Sequence, residues 1–183
     1  GLAYGVVADG RLVHARGRGE ARLGGPVPDA STVFRIASMT KSFLGATVLS
    51  LRDEGLLSLE APVATYVPEL DGVRGPTRDA PAPTVRDLLT MSAGWVTDDP
   101  WADRNESMPP DQLDALLRAG LTFDAAPGTR FEYSNLGWTI LGRVVTNVAG
   151  ARFQDVVAQR VLAPLGLGST GFALADVPVE RLA

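Results

Sequence analysis

The sequence predicts an α+β fold. Three observations carry that expectation. A strong hairpin signal stands near the N-terminus, stretches with helical periodicity fill most of the remainder, and no internal repeat or low-complexity tract offers another architecture. With 183 residues the chain holds one domain or one lobe of a larger one.

The elements follow in order. Residues 3–8 (AYGVVA) read as a strand, Asp9-Gly10 is a two-residue hairpin turn, and a return strand covers about 11–19. A loop runs from Gly24 to Ala30, and residues 32–36 (TVFRI) have strand composition. Residues 38–54 then carry apolar side chains at 43, 44, 46, 48, 49 and 51. These point nearly all round a helix, which predicts a buried one, stopped by Gly55. A short helix is expected over 84–91, with Thr84 as its N-cap. Further helices are expected over 111–118, 136–149 and 152–162, where leucines and valines recur on one stripe. The long loops at 71–83 and 92–110 hold several prolines. Two or three strands give thin support to so much helix, so the sheet is expected to be completed by residues outside this chain.

Composition narrows the chemistry. The chain has no cysteine and one histidine, His14, so thiol nucleophiles and multi-histidine metal sites within it are excluded. The net charge is −4 and the arginines are dispersed, which argues against nucleic acid as the main partner. No apolar run approaches the roughly 18 residues that span a bilayer. The first residue is Gly, with no leader pattern after it, so compartment stays open between export and cytoplasm.

Of the 17 basic residues, Lys41 alone is lysine. A coding bias towards arginine explains the others and makes the exception informative. Arginine cannot release its proton in a protein, whereas a desolvated lysine can. Lys41 stands three residues after Ser38, a spacing that shares a helix face. A serine hydroxyl needs a base to become a nucleophile, and lysine is one documented partner. A position near the start of a helix also suits a developing oxyanion. By itself this four-residue pattern is common in helices.

The second cluster is the stretch from Pro127 to Asn135 (PGTRFEYSN). Pro-Gly marks a turn, and the 136–149 helix begins just beyond. Taken alone, Tyr133 and Asn135 read as a buried tyrosine with a capping asparagine. A lysine ammonium beside the Tyr133 hydroxyl would favour its phenolate and equip it to shuttle a proton.

Together the clusters resemble the serine β-lactamase and penicillin-binding-protein superfamily, nearest its class C-like branch of D-alanyl-D-alanine carboxypeptidases, D-aminopeptidases and esterases. Four ordered segments carry the resemblance. They are Phe34–Lys41 around the nucleophile, Leu88–Gly94 (LLTMSAG), Pro127–Gly137, and Leu165-Gly166-Leu167 followed by Thr170. The resemblance implies a β-lactamase/transpeptidase-like fold, an antiparallel sheet flanked by helices plus a helical lobe. Residues 1–183 would be its N-terminal part, with hairpin and strand over 1–36 and a mainly helical lobe over 37–183. It implies that Ser38 is acylated, Lys41 is its base partner, Tyr133 relays the proton to the leaving group and Asn135 binds the substrate's acyl side. It calls for no cofactor and no metal.

The family's third motif, Lys/His-x-Gly on a strand, would lie beyond Ala183. The resemblance therefore implies an incomplete chain with C-terminal strands absent, little activity alone, and a separate C-terminal segment as one conceivable partner. Met91 stands where relatives often carry histidine. The implied reaction is hydrolysis of a small-molecule or peptide substrate, an amide or ester such as a β-lactam, a D-amino-acid peptide or a simple ester. The alternative is a non-catalytic relative that binds a ligand or partner through the same cleft.

Rival signals fail on their own residues. Thr40-Lys41-Ser42 echoes a phosphate-binding loop, but positions 35 and 40 are Arg and Thr. Gly17-x-Gly19 lacks its third glycine, because position 22 is Arg. Ser169 has Leu167 where a nucleophile elbow needs glycine. His14 on the return strand reads as a surface or half-buried side chain. Asp98, Asp99 and Asp103 read as a solvated loop, with Trp95 and Trp101 as either packing residues or a pocket rim.

Overall fold

The computed structural model describes residues 1–73, 75–97, 108–174 and 177–183. The chain divides into two compact units, Gly1–Thr40 with Leu162–Ala183, and Lys41–Val161.

The first unit is built on the hairpin. Strand β1 (Leu2–Ala8) pairs antiparallel with β2 (Arg11–Arg18). Asp9 and Gly10 both take positive φ, 50° and 72°, the conformation a two-residue hairpin turn requires. A register shift between Val6 and Val7 marks a bulge. His14 is exposed, as the sequence suggested, and its ring lies 5.6 Å from that of Tyr4. Residues 32–36 do not form the strand their composition predicts. They make a single parallel bridge, Val33 with Leu182, through Val33 N–H to the Arg181 carbonyl and Ala183 N–H to the Val33 carbonyl. A ladder needs repeated partners, and the chain turns into a helical turn at Ala37 before a second bridge can form.

The second unit is helical. Helix α1 (Thr40–Asp53) buries Leu44, Thr47, Val48 and Leu51, one stripe at i, i+3, i+4 and i+7. It is not buried all round, because Leu49 on the other side is exposed. The buried Thr47 hydroxyl is satisfied by the Phe43 carbonyl at 2.9 Å. Helix α2 (Val85–Leu89) starts at Thr84, which forms a reciprocal capping box with Asp87. Helix α3 (Pro110–Ala119) packs on the one-turn helix Pro68–Leu70 through its Leu113 and Leu117 side. Helix α4 (Asn135–Ala149) is the spine of the unit and packs against α2 and against α5 (Phe153–Val157). The expected helix over 152–162 changes character at Ala158, where a π-helical turn runs to Leu162.

Ile140, Leu141, Val144 and Val145 of α4 are fully buried, together with Leu88 and Val157. Leu141→Ala would leave a cavity among these side chains. It is expected to cost about 2–5 kcal/mol, read as a lowered urea midpoint with an unchanged slope.

Candidate active site

Lys41 is the second residue of α1, and its ammonium reaches across the unit to the segment that leads into α4. The Nζ donates to the Tyr133 hydroxyl oxygen at 2.9 Å and to Asn135 Oδ1 at 2.8 Å, and lies 4.9 Å from the centroid of the Tyr133 ring. Three of the four residues singled out from sequence therefore meet, across more than ninety positions of chain. These bonds are part-buried, where a charge-assisted hydrogen bond holds its geometry better than on an open surface. The lysine so held has a polarisable phenol on one side and a neutral amide on the other.

Local sequence explains the placement. Ser134 is buried and caps α4, its hydroxyl accepting the Gly137 N–H at 2.9 Å. Its neighbours Tyr133 and Asn135 thus sit one residue outside and one residue inside a fixed helix start. Reading the sequence alone left Ser134 without a role, although a serine three residues before a glycine at a helix mouth is an N-cap signal.

Ser38 belongs to the first unit, in the single 3-10 turn Ala37–Met39, which ends where α1 begins. It does not stand within the α-helix itself. Ala37, just before it, holds a positive φ of 44°. That conformation is uncommon for a residue with a Cβ and tends to gather at functional positions.

The segment before Tyr133 is fastened along its length. Residues 94–96 run antiparallel to 122–124, with Trp95 bridged to Phe123 and their rings 6.3 Å apart. Trp95 is buried, which makes it a packing residue. Gly94 has φ +80°, and a Cβ there would stand 2.2 Å from the Ala125 carbonyl oxygen, so only glycine allows this approach. Further along, the Gly128 N–H bonds the Ser92 carbonyl and the Glu132 N–H bonds the Met91 carbonyl, both at 2.8 Å. Met91 takes a positive φ of 55° at that point. The Glu132 carboxylate accepts from the Thr97 hydroxyl and pairs with Arg130, which also pairs with Asp124. Sequence reading missed this clamp, because nothing in the spacing of Thr97 and Glu132 announces a contact. Asp98, Asp99, Trp101 and Asp103 lie outside the described residues.

The Thr97 hydroxyl first, and then Arg130, hold the Glu132 carboxyl below the ordinary glutamate value. A lowered folded-state value means that this carboxylate's stabilisation is complete above pH 4.5 and is lost as pH falls through the folded value. The stability difference between wild type and Glu132→Gln is expected to be constant above that pH and to shrink below it. A difference that persists unchanged into strong acid would contradict the assignment.

Comparison with known proteins gives the family. A family model described as Beta-lactamase matches residues 1–183, and the chain belongs to that family. It is 28% identical over 181 residues to the D-alanyl-D-alanine-carboxypeptidase/endopeptidase AmpH of Escherichia coli (strain K12), covering 97% of this chain and 46% of that protein. It is 31% identical over 186 residues to esterase EstB of Burkholderia gladioli, covering 93% of this chain and 46% of that protein. Among solved structures, a class C β-lactamase in complex with cefoxitin superposes with a TM-score of 0.81 at 27% identity, covering 99% of this chain and 48% of that one. The chain spans about half the length of the relatives it matches, and over that length it has the fold expected of it, α+β and β-lactamase-like. Among the described residues no helix is long and apolar enough to cross a membrane.

Proposed function

We propose that the protein is a serine hydrolase that cleaves an amide or ester through an acyl-enzyme on Ser38. The observation that carries this reading is the pair of hydrogen bonds from Lys41 to Tyr133 and Asn135. A lysine, a phenol and an amide held together in a part-buried place form a proton-transfer group, and a core contact would not need them. Lys41 follows Ser38 by three residues, so the proton acceptor and the proposed nucleophile come from one short stretch of chain.

The steps balance as ordinary acyl transfer. Ser38 Oγ attacks the substrate carbonyl while the Lys41–Tyr133 pair, in the form that holds one proton fewer than ammonium plus phenol, takes its proton. The tetrahedral adduct collapses, the bond to the amine or alcohol breaks, and Tyr133 delivers the proton to that leaving group. Water then attacks the ester on Ser38, giving up a proton to the same pair, and the acid departs as Ser38 regains its hydrogen. Asn135 orients the acyl side of the substrate. Relatives named as a carboxypeptidase, an esterase and a β-lactamase support an amide or ester substrate as a class.

The test is covalent capture. The protein as its gene encodes it is treated with a fluorescent penicillin and, separately, a fluorophosphonate, and the modified residue is located by mass spectrometry. Ser38 modified by either reagent is the expected result. Labelling elsewhere, or none, would favour a relative that binds without turnover.

A further inference from the structure

We infer that Glu132 is a positioning residue for Tyr133, acting through the clamp it forms with Thr97, Arg130 and the Met91 carbonyl. The inference rests on the acyl-enzyme reading and adds to it a residue that touches no substrate.

The proton relay depends on where one phenolic oxygen stands. A displacement of about 1 Å in a reacting group can cost up to about 100-fold in rate. Tyr133 is held on its C-terminal side by the start of α4, through the Ser134 cap. On its N-terminal side the nearest fixed residue is Glu132, and this residue is tied twice. Its backbone N–H donates to the Met91 carbonyl at 2.8 Å, which fixes the backbone just before Tyr133. Its carboxylate takes the Thr97 hydroxyl and the Arg130 guanidinium, which stops the segment from rolling about its own axis.

Tyr133 is the next residue along the chain and meets Lys41 at 2.9 Å, so a Glu132 carboxylate fixed to Thr97 limits where the backbone can carry the phenol. Phe131, one residue further back, is exposed and offers no such anchor. Thr97 directly follows the antiparallel pairing of Gly94–Val96 with Thr122–Asp124, so the carboxylate is tied next to a braced segment. Arg130 contributes less, since it is about half exposed and shares its charge with Asp124.

The role differs from simple stabilisation in what it predicts. A residue that only stabilises the fold lowers the amount of active protein and leaves kcat per folded molecule alone. A residue that aims Tyr133 lowers kcat and spares KM, because acylation and deacylation both use the relay and slow together.

The experiment measures kcat and KM for p-nitrophenyl acetate and nitrocefin on the protein as its gene encodes it, using whichever is turned over. Active sites are titrated so that rates refer to folded molecules. Glu132→Ala is expected to lower kcat about 10- to 100-fold with KM within about 3-fold. Glu132→Gln keeps an oxygen that can accept the Thr97 hydroxyl and is expected to recover most of that loss. Thr97→Val, which removes the donor and keeps the shape, should reproduce the loss in part, and it serves if the alanine variant does not fold. Normal kcat in both Glu132→Ala and Thr97→Val, or a loss confined to KM, would overturn the inference while the acyl-enzyme reading stood. Turnover that survives Ser38→Ala would overturn that reading and this inference with it.

Discussion

Ser38→Ala is expected to eliminate covalent labelling and to lower turnover by roughly 10⁴- to 10⁶-fold, with thermal stability close to that of the wild type. The effect should be this large because the hydroxyl oxygen forms the bond that defines the proposed intermediate. The side chain is small, and the turn Ala37–Met39 is closed by backbone bonds that the substitution keeps, Met39 N–H to the Ile36 carbonyl and Thr40 N–H to the Ala37 carbonyl. The comparison to make is burst amplitude with a chromogenic ester, wild type against variant. Retention of a burst would place the acylated atom elsewhere and would remove the basis for assigning Lys41 a share in its activation.

Lys41→Arg is expected to lower kcat by about 10²- to 10⁴-fold although the positive charge is kept. A guanidinium cannot accept a proton at any pH a folded protein tolerates, so the substitution separates charge from proton transfer. It also changes geometry. The present ammonium serves two acceptors at 2.9 and 2.8 Å, Tyr133 and Asn135, from a single nitrogen. A planar fork would place its donors farther along the same line and push the two acceptors apart. The readout is kcat on the same ester together with labelling rate. Arginine supporting near-normal rates would mean that position 41 needs only charge, and Tyr133 would then carry the proton alone.

The site was legible in the sequence to an uneven degree, and the reasons are physical. Lys41 stood out because it is the lone lysine, and Tyr133 and Asn135 because they lie at a helix mouth in a stretch that resembles a family motif. A helix mouth is a local feature, so short-range spacing reports it faithfully. Helix α4 was readable for the same reason, since its buried stripe repeats at the helical period from Leu136 to Val145. The Thr97–Glu132 clamp was invisible because 35 positions separate its partners and neither residue type is unusual. Position 33 misled, since β-branched composition reports a preference for extended backbone and says nothing about whether a partner strand will be there. The burial of α1 misled too. Leu49 counted as core in a tally of apolar residues, yet the face that packs is set by Leu44, Thr47, Val48 and Leu51.

The start of α4 has one more consequence. Asn135 is its first residue, and the fully buried Ile140, Leu141, Val144 and Val145 lie less than three turns further on. The proposed proton-transfer group and the hydrophobic centre of its unit are thus tied to one helix. Drift in the core would be felt at the chemistry, which ties the ancestry of the two together. A lineage built on this helix can diversify what it accepts only through segments that the helix does not anchor, so the chemical step is expected to change more slowly than the substrates that reach it.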